Sequence, residues 1–459
     1  MPAKTVVVVG GGLAGMAAAV ALESADQNVT LVESRKTLGG RAGSFEDPQT
    51  GEILDNCQHV LLGCCVNLLD FYRRIGVLDR IHWENTIHFF DPRGHEHRLW
   101  ATPGLPAPLH LGFAGASFGA LTPGERIDLS RAMLAMLRLG AAGRVKLADI
   151  SFGQWLADHN QPKDLIDKFY DLVLISALNE NCRDASAAYA IQVFQQGMLF
   201  HESAYRMGTP ACPLGKLYES LPCRDVRLAR RVTAVRFDGP RAVGIELGDE
   251  FIAADAVILA VNYPILEKWI PDHVAAGDNR FAGLAQLQSV PILGAHLWFD
   301  RPVIATPHAA LIGGPLQWLF RKPDSDGSAI HGVISAARDW VQRDKDECLA
   351  IFTRQIRDVF PAARDANFVR GAIVVEKRAT FSPLPGVDRF RPSQSPAIGG
   401  IHGLFLAGDY TKTGWPATME GAVRSGYLAA EAVLAQPGKF LRPDLLPQWP
   451  AKLLDANLR

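Results

Sequence analysis

TVVVVGGGLAGMAAAVALESADQNVTLVE, residues 5–33, decides how the rest of the chain is read. Residues 6–9 are four valines, the composition of a strand buried on both faces. Gly10, Gly12 and Gly15 follow with GxGxxG spacing. Residues 13–22 are rich in Ala and Leu and predict a helix. Residues 29–32 predict a second strand, ending at Glu33. The glycines allow a tight turn and a close approach of backbone to a pyrophosphate. The helix start offers unpaired N–H groups and a positive dipole end to the same group. Glu33 lies 18 residues after Gly15, where a carboxylate can take ribose hydroxyls. Together these predict a dinucleotide site.

Residues 5–22 behind Lys4 also have the apolar character of a membrane helix or a signal h-region. Three glycines in succession argue against the first, and no clean small-residue cleavage site supports the second. The 459-residue chain carries a net charge of −1 and no long Lys/Arg run, so nucleic-acid binding has no electrostatic footprint. No later apolar run reaches the length of a membrane span, and no internal repeat is visible. Seven cysteines occur, none with C-x-x-C spacing, so no metal site is expected. Their odd number without a leader predicts reduced thiols in a cytoplasmic protein.

Gly39, Gly40 and Arg41 make a second glycine turn, whose cation can neutralise a second phosphate. Coming directly after the ribose acid, this turn favours FAD over NAD. Residues 55–65, DNCQHVLLGCC, then place Asp55, Asn56, Gln58 and His59 before an apolar run. Residues 68–75 predict a helix ending near Gly76. A hairpin is expected at 88–99 around 91–94, and a proline-stiffened apolar loop at 102–119. Helices are expected at 122–139 (capping-box acid Glu125), 152–159, 165–178 and 185–198.

Strands are expected at 226–228, 232–237, 242–247, 250–253 and 255–261. The second of these would set Val232 against an adenine ring. Further strands are expected at 290–300, 309–320, 329–336 and 367–375, with a helix at 344–359. Residues 404–430, LFLAGDYTKTGWPATMEGAVRSGYLAA, repeat the strand, glycine-acid turn, helix order. Gly408 lets the backbone close on a ligand, and Asp409 can take a ribityl hydroxyl or a phosphate-bridging water. A helix starting at Met419 would aim its dipole at a flavin's N1–O2 edge. Residues 437–459 are expected to wrap the surface.

The three elements in this order resemble the FAD-dependent amine oxidase and phytoene desaturase superfamily, over essentially the whole chain. DNCQHVLLGCC, EKRATF (376–381), Arg391-Pro392 and TGWPATMEGAVRSG (413–426) are most similar to its squalene-associated branch, the hydroxysqualene dehydroxylases. The resemblance implies an α/β fold, a Rossmann-type FAD-binding domain (GR2-like) with an inserted α+β substrate domain. Residues 1–86, 208–263 and 381–436 would form the first, 87–207 and 264–380 the second, and 437–459 a C-terminal tail. By motif match, Gly10, Gly12, Gly15, Glu33, Arg41, Val232, Gly408, Asp409 and Met419 inherit FAD contacts. No flavin contact is carried to Cys57. Trp415 could supply one member of an aromatic pair over the flavin, and no second member is evident.

The reaction implied is reductive: hydride from reduced FAD replaces the hydroxyl of hydroxysqualene, which leaves as water. A general acid eases that departure. His59 is the candidate donor, with Asp55 orienting or charging it; the competing view is that both only brace the pocket. No second GxGxxG occurs, so electrons would come from an external donor, a reductase protein or docked NADPH. The segment 404–430 has no Cys or His, which predicts non-covalent FAD. A carotenoid-type desaturase shares every cofactor motif. An amine oxidase or a flavin-free prenyl-lipid binder would also use this fold. A C30 isoprenoid lipid as substrate implies a peripheral protein on the cytoplasmic (inner) face of a membrane, with 104–118 as its contact.

Overall fold

In the computed structural model, which describes residues 2–323 and 325–458, the four valines are buried in the strand Thr5–Val9. This strand is the centre of a five-stranded parallel sheet. The spatial order is Asp225–Arg227, Asn28–Val32, Thr5–Val9, Ala256–Leu259 and Leu404–Leu406. The register pairs Val6 with Val29 on one side and with Ala256 on the other. The helices Leu13–Glu23 and Met419–Leu434 cover one face of this sheet, and the antiparallel strands Ala234–Asp238, Arg241–Leu247 and Glu250–Ala253 pack on the other, which is why its strands are continuous apolar runs rather than alternating ones.

The helix Leu13–Glu23 follows the first strand and is buried almost throughout. It is crossed closely by the helix Met419–Leu434, and small residues permit the approach. A Cβ on Gly426 would stand 2.2 Å from the Ala14 carbonyl oxygen and 3.0 Å from the Ala17 Cβ. The two helices therefore pack backbone to backbone, and both begin at the carboxyl end of the parallel sheet, where such folds bind ligands.

The second large sheet has seven strands, in the order Phe368–Phe381, Ser289–Phe299, Ala329–Ile334, Trp318–Arg321, His308–Leu311, Thr86–Phe90 and Glu96–Trp100. Every pairing in it is antiparallel except that of His308–Leu311 with Thr86–Phe90. One face packs on the helix Lys345–Val359 through Leu293, Ala295 and Leu297. Its other face carries Gly294, His296 and Trp298, since side chains alternate along a strand.

Several local expectations change. The strand expected at 309–320 is two strands, turned through Gly313 and Gly314, both at φ near +80°. The strand expected to stop at 375 continues to Phe381. The helix expected at 122–139 runs Pro123–Val145, interrupted at Gly140 (φ 59°, ψ −177°). The loop at 102–119 contains a turn, Leu109–Leu111, and a short helix, Gly112–Ala116. Val232 precedes its strand, Ala234–Asp238, rather than opening it.

The tail does not simply wrap the surface. The N–H groups of Gly438, Phe440 and Leu441 donate to the Glu431 carboxylate, and Arg442 bonds Asn67 and Asp70. Asp444 accepts from Trp415 and Arg424, and Gln448 joins Ala107, Phe200 and Glu202. It thus straps the parallel-sheet region to the helices of the 100–200 region.

Candidate functional site

Three sequence-distant turns meet at the carboxyl end of the parallel sheet. Gly10 is at φ 110°, and a Cβ there would lie 2.4 Å from the Ala260 oxygen. A Cβ on Gly15 would lie 1.9 Å from the Gly10 oxygen. Both positions therefore exclude any side chain. Gly12 differs: a Cβ would meet only the Gly40 Cα, at 4.0 Å. The chain leaves this spot open although packing does not require it. Gly12 caps the helix Leu13–Glu23 without a side-chain cap, so no capping side chain takes up its first N–H groups.

Glu33 closes the far side of the turn. Its carboxylate is buried and accepts from Gly11 N (2.6 Å), Arg35 N (2.7 Å) and Ser34 Oγ (3.1 Å). A carboxylate has about four acceptor positions, so capacity for a ribose hydroxyl remains. Val232 is buried close by, two residues after Arg230, whose N–H donates to the Glu33 carbonyl (2.9 Å).

The second glycine turn docks on the first through Gly39 N to Gly11 O (2.8 Å). It also delivers Arg41 to the third: Arg41 Nη2 lies 2.7 Å from Asp409 Oδ1, and Nη1 donates to the Ala379 carbonyl. Burial works against the Arg41 charge, but Asp409 outweighs it and holds the guanidinium pKa above its ordinary value. Gly408, at φ 143°, donates its N–H to Ser425 Oγ (2.8 Å). Met419 opens its helix behind Thr418, whose hydroxyl accepts from Gly421 N (3.0 Å).

Residues 13–434 match the family described as flavin containing amine oxidoreductase. The chain belongs to that family. It is similar to a 15-cis-phytoene desaturase of Synechococcus elongatus, 27% identical over 95% of this chain and 97% of that protein. It is likewise similar to a hydroxysqualene dehydroxylase of Zymomonas mobilis, 29% identical over 93% of this chain and 98% of that one. In fold it resembles putrescine oxidase (TM-score 0.69, 17% identity, 95% of this chain and 100% of that). An oxidoreductase from Methanosarcina mazei is comparable (TM-score 0.70, 14% identity, 94% and 100%). The protein is an FAD-dependent oxidoreductase of this amine oxidoreductase family.

The residues present fit FAD. The open space at Gly12, facing a bare helix start, suits a pyrophosphate, and Glu33 suits the ribose. Arg41, held by Asp409, would supply the cation. The start of the helix from Met419 would supply a positive dipole end. Cys57 is buried, and burial pushes its thiol up to about 12, so no thiolate is on offer there.

Asp55 and His59 share no hydrogen bond, so Asp55 does not orient the ring, although its charge still favours the imidazolium. Asp55 Oδ1 accepts from Ser44 Oγ and from Leu214 N (2.9 Å), which makes it a brace between segments. The orienter of His59 is instead the Cys57 carbonyl, 2.8 Å from Nδ1. A carbonyl only accepts, so Nδ1 carries a hydrogen and the neutral ring presents Nε2 as an acceptor. Burial holds the His59 pKa below its ordinary value, while the Cys57 carbonyl and then the Asp55 charge pull the other way. Trp415 is also committed: its indole N–H donates to Asp444 Oδ1 (3.0 Å).

Two features escaped the sequence reading. Arg391 is fully buried and clamps the loop after Asp409. It donates to the carbonyls of Asp409 (3.0 Å), Tyr410 (3.4 Å) and Thr411, and to Thr413 Oγ1 (3.2 Å). The second is a buried stack of His296 on His331, ring centres 4.0 Å apart, on the sheet face behind residues 56–57. His296 Nε2 bonds the Asp55 carbonyl (3.0 Å), whereas His331 Nε2 has no hydrogen-bond partner among the described residues. Burial lowers the pKa of both, His296 to about 4, so the stack is neutral. Arg391-Pro392 is legible as a motif, but the clamp needs the tertiary fold. The histidines lie 35 residues apart with no spacing signal.

Proposed function

We propose that this oxidoreductase removes the hydroxyl of hydroxysqualene reductively to give squalene. The Zymomonas relative bears that activity in its name. The observation that carries the reading is a polar pair in an apolar setting. His59 and His331 face the residue 56–58 segment next to the Arg41 turn. An apolar cluster of Cys57, Val60, Leu62, Met207, Ile292, Phe320 and Val333 is drawn from the same segment, from the strand Met207–Pro210 and from strands of the seven-stranded sheet. Apolar walls suit a C30 isoprenoid, and imidazoles suit the one polar event that loss of a hydroxyl requires.

FAD, when bound and reduced, would supply the hydride that the carbon takes up as the C–O bond breaks and the hydroxyl leaves as water. The chain's part is to exclude water and to pass a proton to the departing oxygen. His59 does this as imidazolium, giving up the Nε2 proton while Nδ1 stays on the Cys57 carbonyl. External electrons are needed, from a nicotinamide such as NADPH or a reductase protein. The protein would work as a peripheral protein on the cytoplasmic face of a membrane, contacting it through 104–118.

The phytoene desaturase relatives favour a second reading, oxidative desaturation of a polyisoprenoid. In that case neutral His59 would act as a base through Nε2. The two readings predict opposite pH slopes. Dehydroxylation should speed up as pH falls and His59 gains its second proton; desaturation should slow. The test is anaerobic: dithionite-reduced protein is mixed with hydroxysqualene across pH 5–8, and flavin spectrum and extracted lipid are followed. Flavin reoxidation with squalene formation, faster at low pH, supports the first reading. His59→Ala should keep FAD and lose turnover; undiminished turnover removes His59 from the mechanism. No squalene, with oxidised protein bleached by phytoene, moves the assignment to the desaturase.

A further inference from the structure

Three glutamines interrupt an apolar helix beside the site. Residues 187–199 read AAYAIQVFQQGML, with Gln192, Gln195 and Gln196 set among Ala, Ile, Val, Phe, Met and Leu. The α-helix Ala187–Phe194 runs on into a π-helical turn, Gln195–Leu199, closed by Phe200 N on the Gln195 carbonyl (2.9 Å). Such turns recur at functional sites. All three glutamines are buried. A buried carboxamide is a cost to the fold unless its oxygen and its N–H groups find partners.

Two of the three are occupied within the chain. Gln192 Nε2 donates to the Gly414 carbonyl (3.0 Å). Gln195 Nε2 donates to the carbonyls of Met136 (2.7 Å) and Gly140 (3.1 Å), and its Oε1 accepts from Arg144 Nη1 (2.7 Å). Gln196 differs. It is only 5% exposed, and its Oε1 is buried with no hydrogen-bond partner among the described residues. An acceptor in that state destabilises the chain on its own and is satisfied only by a donor from outside it.

The position of Gln196 narrows what that donor is. It follows Gln192 by four residues, about one turn, so the two share a side of the helix. Gln192 faces the loop at 413–416, which leads into the cofactor helix from Met419. The next residue, Gly197, faces Leu62: a Cβ there would stand 3.3 Å from Leu62 Cδ1. Leu62 packs in the apolar cluster of Cys57, Val60 and Met207, and also against Cys64, Ala204 and Trp415. The turn that carries Gln196 is therefore set against both the cofactor loop and the apolar cluster beside His59.

We propose that Gln196 is the residue that selects a hydroxylated substrate: its Oε1 accepts the O–H hydrogen of an otherwise apolar isoprenoid alcohol. The proposal deepens the dehydroxylase reading and rests on it for the identity of that alcohol. A hydroxyl carries one donor hydrogen and two acceptor lone pairs. With the hydrogen committed to Gln196, the lone pairs stay free for the proton from His59, and the oxygen departs as water. Gln196 itself neither gives nor takes a proton. A hydrocarbon of the same length brings no donor and leaves Oε1 unpaired, so the site discriminates against it. The product is such a hydrocarbon, and the same acceptor therefore favours its release.

The test is binding to the full chain loaded with oxidised FAD, which has no hydride to give, by calorimetric titration with hydroxysqualene and with squalene in detergent micelles. Wild type should bind the alcohol about tenfold more tightly than the hydrocarbon. Gln196→Met, similar in size but without the acceptor, should bring that ratio close to one. Its lipid-free form should melt at or above wild type, because no internal bond is lost. Gln195→Met breaks three internal bonds and should melt lower while keeping the wild-type ratio. No preference for the alcohol in wild type, an unchanged ratio in Gln196→Met, or a Gln196→Met protein that melts below wild type overturns the proposal. With reduced flavin, Gln196→Met should raise KM for hydroxysqualene; squalene formed at the wild-type kcat/KM overturns the role of Gln196 and leaves the dehydroxylase reading standing. A preference for the alcohol that depends on Gln196, with no squalene formed, does the reverse: the hydroxyl site stands and the reaction assigned to it falls.

Discussion

Arg391→Leu should loosen the cofactor loop from behind. The guanidinium spans three consecutive carbonyls, of Asp409, Tyr410 and Thr411, and also holds Thr413 Oγ1, Tyr189 OH and Asp388 Oδ1 (3.0 Å). Leucine removes all of these and leaves the buried carbonyls unpaired, at about 1 kcal/mol or more each. Asp388 is half exposed and recovers solvent, so its share is discounted. The sum is about 3–5 kcal/mol. At about 2.1 cal/mol/K per residue, a 459-residue chain loses roughly 1 °C of melting temperature per kcal/mol. A drop of about 3–5 °C is expected. Because the same loop places Asp409 against Arg41, FAD affinity should also fall, by about tenfold or more for each 1.4 kcal/mol spent on reordering it. Arg391→Lys should sit between, since a point charge cannot span three carbonyls. The assays are differential scanning fluorimetry with and without added FAD, and flavin absorbance after gel filtration. An Arg391→Leu protein that melts within about half a degree of wild type and retains its FAD would refute the clamp.

Gly15→Ala and Gly12→Ala should fail differently. The first places a Cβ 1.9 Å from the Gly10 oxygen and should lower expression and melting temperature. The second meets nothing closer than 4.0 Å, so the flavin-free protein should melt like wild type yet purify colourless; a yellow Gly12→Ala protein would show that the pyrophosphate lies elsewhere. His110 is fully buried with both ring nitrogens unpartnered, and burial pushes its pKa down to about 4. The unfolded chain therefore binds the extra proton first, and stability should fall as pH drops from about 6.5 to about 4. His110→Phe should flatten part of that slope and gain stability at pH 5 relative to wild type, read by melting temperature across pH. Asp444→Ala frees the Trp415 indole N–H and Arg424, whose side chain lies 2.8 Å from the Asp444 carboxylate, and should cost about 1–2 kcal/mol in urea unfolding.

Gly294→Ala should test the histidine stack without deleting it. A Cβ there would lie 2.8 Å from His331 Nε2, so the ring or the 56–57 segment must shift. On the proposed mechanism turnover falls while FAD is retained; wild-type turnover would confine His331 to packing.

The sequence by itself determined the parallel-sheet region and its ligand class. Residues 5–33 contain strand, turn, helix, strand and acid as one local unit, whose contacts are short in sequence and whose glycines are demanded by backbone geometry. GGR and the GD turn were legible for the same reason: each is a turn whose residue types are fixed by local conformation. What the tertiary structure alone decided are the meetings between segments. Arg41 finds Asp409 across 368 residues, and Arg391 clamps a loop that begins 18 residues on. His296 and His331 stack because their strands pair in register, and no spacing rule marks that pairing. Asp55 and His59 are near neighbours in sequence, yet each took a different partner, Ser44 and Leu214 for one and the Cys57 carbonyl for the other. A side chain's bonding is settled by which donors and acceptors the fold brings within about 3 Å, and that is a property of the packed chain rather than of its local sequence.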